Sequence, residues 1–220
     1  MSDIGDLAAQ ISGYLGYIDV IDEAWGNPLP YSCAELLRSA EQGGDPTASW
    51  RAEVGAAQEA RYHSPAPPAV GAAFVLGWYL QVVAIPLAYA SVLCNWLPDA
   101  SPEALRFDLD EMEHYPVALS LSPGNVESVP HPQIRLRRAR EKYEAHANRF
   151  AAAYNPGVKM SSRQRYGLVR DTWSMTLDQA RTGVAAAPSM LTGLRESCCF
   201  IFALPGAMTC TRCPRNAVHA

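Results

Sequence analysis

The chain has 220 residues, of which 49% are hydrophobic and 18% charged, and its formal net charge is −4. That length bounds it to one domain, or at most two small lobes, and the apolar fraction is enough to bury a real core. The charge is split: residues 1–120 carry 4 Lys/Arg and 16 Asp/Glu, a net of −12, whereas residues 121–220 carry 14 and 6, a net of +8. No nucleic-acid-binding motif accompanies the arginines, so nucleic acid is not an expected partner. A basic half suits an anionic ligand or an acidic protein partner, and equally suits acidic and basic helices packing on each other.

In chain order, Met1-Ser-Asp-Ile-Gly-Asp6 is acidic and lacks the basic-then-apolar build of a signal peptide, so a cytoplasmic protein is expected. Ile4–Ile21 is apolar at helical spacing, weakened by Gly13 and Gly16 and ended by Asn27-Pro-Leu-Pro30. Ser32-Cys-Ala-Glu35 has the capping-box pattern and opens a helix to about Glu41. After the Gly43-Gly44-Asp45-Pro46 loop, Thr47–Tyr62 reads as another helix. Pro65 through Leu97 contains no Asp, Glu, Lys or Arg, long enough to span a membrane by composition. Pro86 and Gln81 interrupt the run and no basic cluster flanks it. We therefore expect a buried core helix, kinked or split at Pro86, and no integral membrane span, with attachment to the inner membrane face left open.

A short helix is expected after Ser101-Pro102, and Val117–Leu121 and Val126–Val129 read as a small hairpin about Pro123-Gly124. Gln133–Tyr154 is a basic helix ended by Asn155-Pro-Gly157, with Arg135, Arg138 and Lys142 on one face expected to be solvated. Ser161-Ser-Arg-Gln164 is a second capping box, opening a helix through about Arg181. Tyr166 and Trp173 share one face of it, for which core packing is the expectation. Ser189–Glu196 reads as a short last helix. The fold class is mainly α (α+β): a single helical domain, residues 1–220, with one small β-hairpin and a C-terminal cysteine-rich loop.

That loop carries the chemistry. Cys198 and Cys199 are adjacent, ten residues follow, and Cys210 and Cys213 close the pattern Cys-Cys-x10-Cys-x2-Cys. Four thiols in sixteen residues suit an iron–sulfur cluster or a structural zinc, and disulfides are a minor alternative. Zinc sites usually take two chelating pairs; Cys210-Thr-Arg-Cys213 supplies one, but neighbouring side chains such as those of Cys198 and Cys199 diverge in an extended backbone. Two metals relax this constraint because their four ligand positions are spread over a larger object. Cys33 and Cys94 lie outside the pattern and are expected as free thiols in or near the core. His114, His131, His146 and His219 show no ligand spacing, and there is no phosphate loop, Gly-x-Ser-x-Gly, His-Glu-x-x-His or Gly-x-Gly-x-x-Gly.

The adjacent pair, the ten-residue gap containing Leu204-Pro205-Gly206 and the terminal Cys-x2-Cys together resemble the C-terminal signature of the FhuF-type ferric-siderophore reductases, over residues 195–215. The resemblance implies a [2Fe-2S] cluster held by Cys198, Cys199, Cys210 and Cys213, and one-electron reduction of a ferric siderophore, of hydroxamate type by family analogy. The electron would come from a separate donor, such as a ferredoxin or a flavin- or NAD(P)H-dependent reductase. Arg195, three residues ahead of the pair, is a candidate to tune the cluster or meet substrate, or else a charge at a helix C-terminus; Arg212 is a candidate for the docking surface. The competing readings are a [2Fe-2S] electron carrier or iron or redox sensor, and a zinc-stabilised interaction protein.

Overall fold

A computed structural model describes residues 4–22, 28–122, 125–186 and 189–218. The uncharged run forms one helix, α4 (Pro68–Leu93), at the centre of the fold. It packs against α1 (Ile4–Leu15), α3 (Ala48–Tyr62), α5 (Pro132–Ala153) and α6 (Ser162–Ala185). It is long and apolar enough to cross a membrane, but 78% of its most apolar window is buried inside the fold, against these neighbours. Helix α4 is not split: Pro86 lies within it, fully enclosed by the core, where packing compensates for the missing N–H.

The first helix is shorter than its periodicity suggests. Gly16 takes a left-handed φ of +66° and donates its N–H to Ser12 O at 2.9 Å, which ends α1. The chain then turns into β1 (Asp19–Asp22). Ser32 caps α2 (Cys33–Glu41) by accepting the Glu35 N–H, as the capping box requires. The short helix after Ser101 is a 3-10 turn, Pro102–Ala104.

The mainly-α architecture holds, with a small β-element, but the hairpin does not form. Strand β5 (Pro116–Leu121) pairs antiparallel with β4 (Leu105–Leu109) and parallel with β1, in a four-stranded sheet of order β1-β5-β4-β2, where β2 is Tyr31–Ser32. Strand β6 (Glu127–Ser128) instead pairs with β3 (Trp96–Leu97) in a separate ribbon. The Pro123-Gly124 turn itself lies outside the described residues. Burial decides the pairing: Leu119 and Leu121 of β5 are fully buried beside Leu105 and Phe107 of β4, a surface β6 cannot offer.

Arg135 also departs from expectation. It is 6% exposed, and its guanidinium donates to Ser91 O, Val129 O and Pro130 O, tying α5 to the end of α4. Arg138 and Lys142 do lie on the surface, bonded to Glu141 and Glu127. Arg149 on α5 reaches Glu41 on α2 at 3.0 Å and so links the basic to the acidic half.

Candidate metal centre

Helix α6 is the platform for the cysteine segment. Ser161 accepts the Gln164 N–H at 3.1 Å and fixes the helix start. Gln164, Gly167 and Asp171 then follow at spacings of three and four and form one stripe. A full capping box would turn the Gln164 amide back to the cap residue. Here it clasps the Cys198 backbone instead: Nε2 donates to Cys198 O, and Oε1 accepts the Cys198 N–H at 3.1 Å.

One turn along, a Cβ on Gly167 would stand 3.4 Å from Glu196 C, Glu196 Cβ and Ser197 Cβ, so the bare glycine lets the segment lie flush on the helix. Asp171 completes the clamp. Its carboxylate accepts from Glu196 N (3.0 Å), Ser197 N (2.8 Å) and Ser197 Oγ (2.5 Å), and Ser197 is fully buried. Arg170 and Glu196 pair at 2.5 Å on the outer side.

The expected helix over Ser189–Glu196 is absent; this stretch is irregular. Asp178 accepts from Ser189 Oγ and Met190 N, and Gly193 takes a φ of +79°, which breaks helical continuation. Arg195 N donates to Arg212 O at 2.8 Å, while Arg212 Nε donates to Gly193 O at 2.9 Å. These two bonds clip the start of the segment to the Cys210–Cys213 turn. With no helix ahead of it, Arg195 does not act as a C-terminal helix charge.

Between the cysteine pairs, Leu204-Pro205-Gly206-Ala207 closes a turn, with Ala207 N donating to Leu204 O at 3.1 Å and Gly206 at φ +78°, the type II arrangement. Leu204 is buried and anchors it. Phe200 is held at a φ of +61°, uncommon for a residue with a side chain, and its N–H donates to Cys198 Sγ at 3.4 Å. Arg215 lies over the Phe202 ring, 3.8 Å from its centroid, and pins the end of the segment.

Cys213 is buried; Cys198, Cys199 and Cys210 are half-buried. The thiols lie near enough to act on one another electrostatically: on top of burial, Cys199 and Cys213 both raise Cys198 and Cys210. Burial pushes the Cys210 thiol up to about 11, with Cys199 and Cys213 adding to the shift and Arg195 opposing it. Burial also raises Cys198, against the Phe200 N–H and Arg195. Burial thus favours the protonated thiols of Cys198 and Cys210, and a bound metal would supply the positive charge that favours their thiolates. Among the described residues, no three His, Cys, Asp or Glu side chains surround the position of a single ion. An all-cysteine donor set suits a thiolate-held iron–sulfur cluster or a four-cysteine zinc.

Arg195 is largely enclosed. Its Nη2 donates to Ser197 O at 3.3 Å, and its Nε lies 3.9 Å from Asp171 Oδ2, buried without a hydrogen-bond acceptor. Both Arg195 and Arg212 line a cavity of about 550 Å³ between α4 and α6, and Cys199 opens onto the same cavity. Gln164, Gly167, Asp171 and this cavity carry no signature in the sequence; the capping-box pattern located Gln164 but gave it a different partner.

The remaining candidates sit elsewhere. Trp173 stacks on Tyr143 with centroids 5.2 Å apart, which is core packing. His146 is buried, bonded to Tyr79 Oη and Ala100 O, and burial lowers its pKa to about 4. Cys33 is a fully buried free thiol, Cys94 is half-buried, and His219 lies outside the described residues.

No curated protein matches the chain. Residues 195–215, which carry all four clustered cysteines together with Arg195 and Arg212, match the family model described as the FhuF 2Fe-2S C-terminal domain, the family that the cysteine pattern resembles.

Proposed function

We propose that this chain is a [2Fe-2S] ferric-siderophore reductase, with Cys198, Cys199, Cys210 and Cys213 as the cluster ligands. The observation that carries the reading is the four-cysteine segment, clamped on α6 through Gln164 and Asp171 and matching the 2Fe-2S domain over residues 195–215. When bound, a [2Fe-2S] cluster supplies one-electron redox chemistry.

The chain's own residues do the rest. Asp171 and Gln164 fix the backbone of residues 196–198, so the first cysteine pair is preorganised rather than gathered from a mobile tail. The Phe200 N–H donates to the Cys198 sulfur, and Arg195 puts positive charge beside Cys198 and Cys210; both favour an electron-rich thiolate group and raise its potential. The half-buried Cys199 gives a short path from this group to the open cavity.

Siderophores hold Fe3+ through hard oxygen donors. One added electron gives Fe2+, which those donors bind far less tightly, and the metal leaves. The electron comes from a separate protein, a ferredoxin or a flavin- or NAD(P)H-dependent reductase, since the chain has no dinucleotide fingerprint. The reaction belongs to the cytoplasm, at or near the inner membrane face, where imported chelate arrives. Anaerobic purification with iron, sulfide and zinc analysis tests the cofactor. Equal iron and acid-labile sulfide in a reddish-brown protein is expected. A colourless protein with stoichiometric zinc would replace this reading with that of an interaction module.

A further inference from the structure

Helix α4 is buried on almost every side, yet Phe74, Gly77, Trp78 and Gln81 stay half-open. Their spacing of three and four makes one stripe, and that stripe forms a wall of the cavity beside α6. Gly77 sits at its middle. A Cβ there would meet only Leu168 Cδ2, at 3.9 Å, so the missing side chain leaves the groove its depth. The volume, about 550 Å³, lies inside the range of small-molecule sites.

The groove is chemically graded. Its α4 wall is aromatic, and Thr172, Thr176 and Gln179 of α6 add neutral polar groups. Two acids, Asp171 and Asp178, also line it, but their oxygens are bonded to Glu196, Ser197, Ser189 and Met190. Two cations stand at the cysteine end. Among the described residues Arg212 has no carboxylate partner, and Arg195 only the 3.9 Å approach to Asp171. The formal charges of the lining cancel, Arg195 and Arg212 against Asp171 and Asp178, but both cations stand at the cysteine end, and a bound ligand would lie against an aromatic wall.

Resting on the reductase reading, we propose that this groove is where the substrate, an oxygen-ligated ferric chelate, is seated. Its iron centre lies toward Cys199, Arg195 and Arg212, and its organic scaffold along Phe74, Gly77 and Trp78. The anionic ligand oxygens meet the arginine donors, and the scaffold packs on the aromatic wall.

Calorimetry on the purified holoprotein tests this, using the gallium(III) form of one neutral linear trihydroxamate. Gallium reports binding without electron transfer. Wild type should bind it saturably, and Gly77→Leu should weaken binding by about tenfold or more. Gly77→Ala should fall between, and reads the same effect if the leucine variant does not fold. The visible spectrum and reoxidation by ferricyanide should be unchanged in both variants. Equal gallium-chelate affinity in wild type and both variants overturns the assignment. So does reoxidation by ferric chelate without any gallium-chelate binding, since the chelate then docks elsewhere. If gallium chelates bind with the expected Gly77 dependence but ferric chelates never reoxidise the protein, the groove stands and the reductase reading fails.

Discussion

Asp171→Ala should release the cysteine segment from the helical body while leaving that body folded. The carboxylate accepts three hydrogen bonds from residues 196 and 197 and lies near the Arg195 guanidinium. Hydrogen bonds to a charged group contribute about 1.5–3 kcal/mol each, and they are not additive. Removing one partner of a buried charged network costs about 3–5 kcal/mol because the abandoned groups stay buried. The docked-to-released ratio of the segment should therefore fall by about two to four orders of magnitude. Thermal melts followed by two probes separate the effects. Visible absorbance should be lost at a much lower temperature than in wild type, while the far-ultraviolet helical signal should change little, since Trp173 and Tyr143 pack α6 to α5 independently of Asp171. Asp171→Asn keeps one acceptor oxygen but points an amide at a donor, and should be intermediate. If Asp171→Ala holds its cofactor as long as wild type, the clamp is not what organises the site.

Other predictions are simpler to check. Cys213→Ser should lose or alter the visible spectrum and abolish chelate reduction; an unchanged spectrum removes Cys213 from the ligand set. Gly206→Ala forces a side chain into a left-handed turn position and should weaken the loop by about 1–2 kcal/mol, read as faster cofactor loss. His146 has a folded-state pKa of about 4 against an ordinary value of 6.5, so the unfolded chain binds the extra proton between those values and stability is lost as pH falls through that window. The loss amounts to about 3 kcal/mol, and His146→Gln should flatten that part of the denaturation-midpoint profile. Removing the cofactor with a chelator should expose residues 195–215 to hydrogen exchange while α4 stays protected.

The cysteine segment was legible because its information is local: four ligands within sixteen residues, with a Pro-Gly turn between them. Helices with caps were legible for the same reason, as Ser32 and Ser161 show. What the sequence did not reveal depends on distant partners. Asp171 and Gln164 lie 25 to 34 positions from the backbone groups they bind, and no periodicity marks them. Arg135 looked solvated because charge patterning assumes an exposed face, yet the carbonyls of Ser91, Val129 and Pro130 make a buried seat for it. The hairpin failed because Leu119 and Leu121 gain more by joining β4 in the core than by pairing with their neighbour in sequence. The last helix failed at Gly193, whose left-handed backbone serves the clip to Arg212.

The most direct test of the reductase reading is a single-turnover experiment. Protein reduced anaerobically with dithionite, and freed of excess reductant, is mixed with a neutral ferric trihydroxamate and a colorimetric Fe2+ trap. The account predicts that the sulfur-to-iron absorption bleached by reduction returns as one Fe2+ per protein is trapped, with a rate that saturates in chelate. A bleached protein that no ferric chelate reoxidises, or reoxidation that releases no Fe2+, would contradict it and leave an electron carrier or sensor.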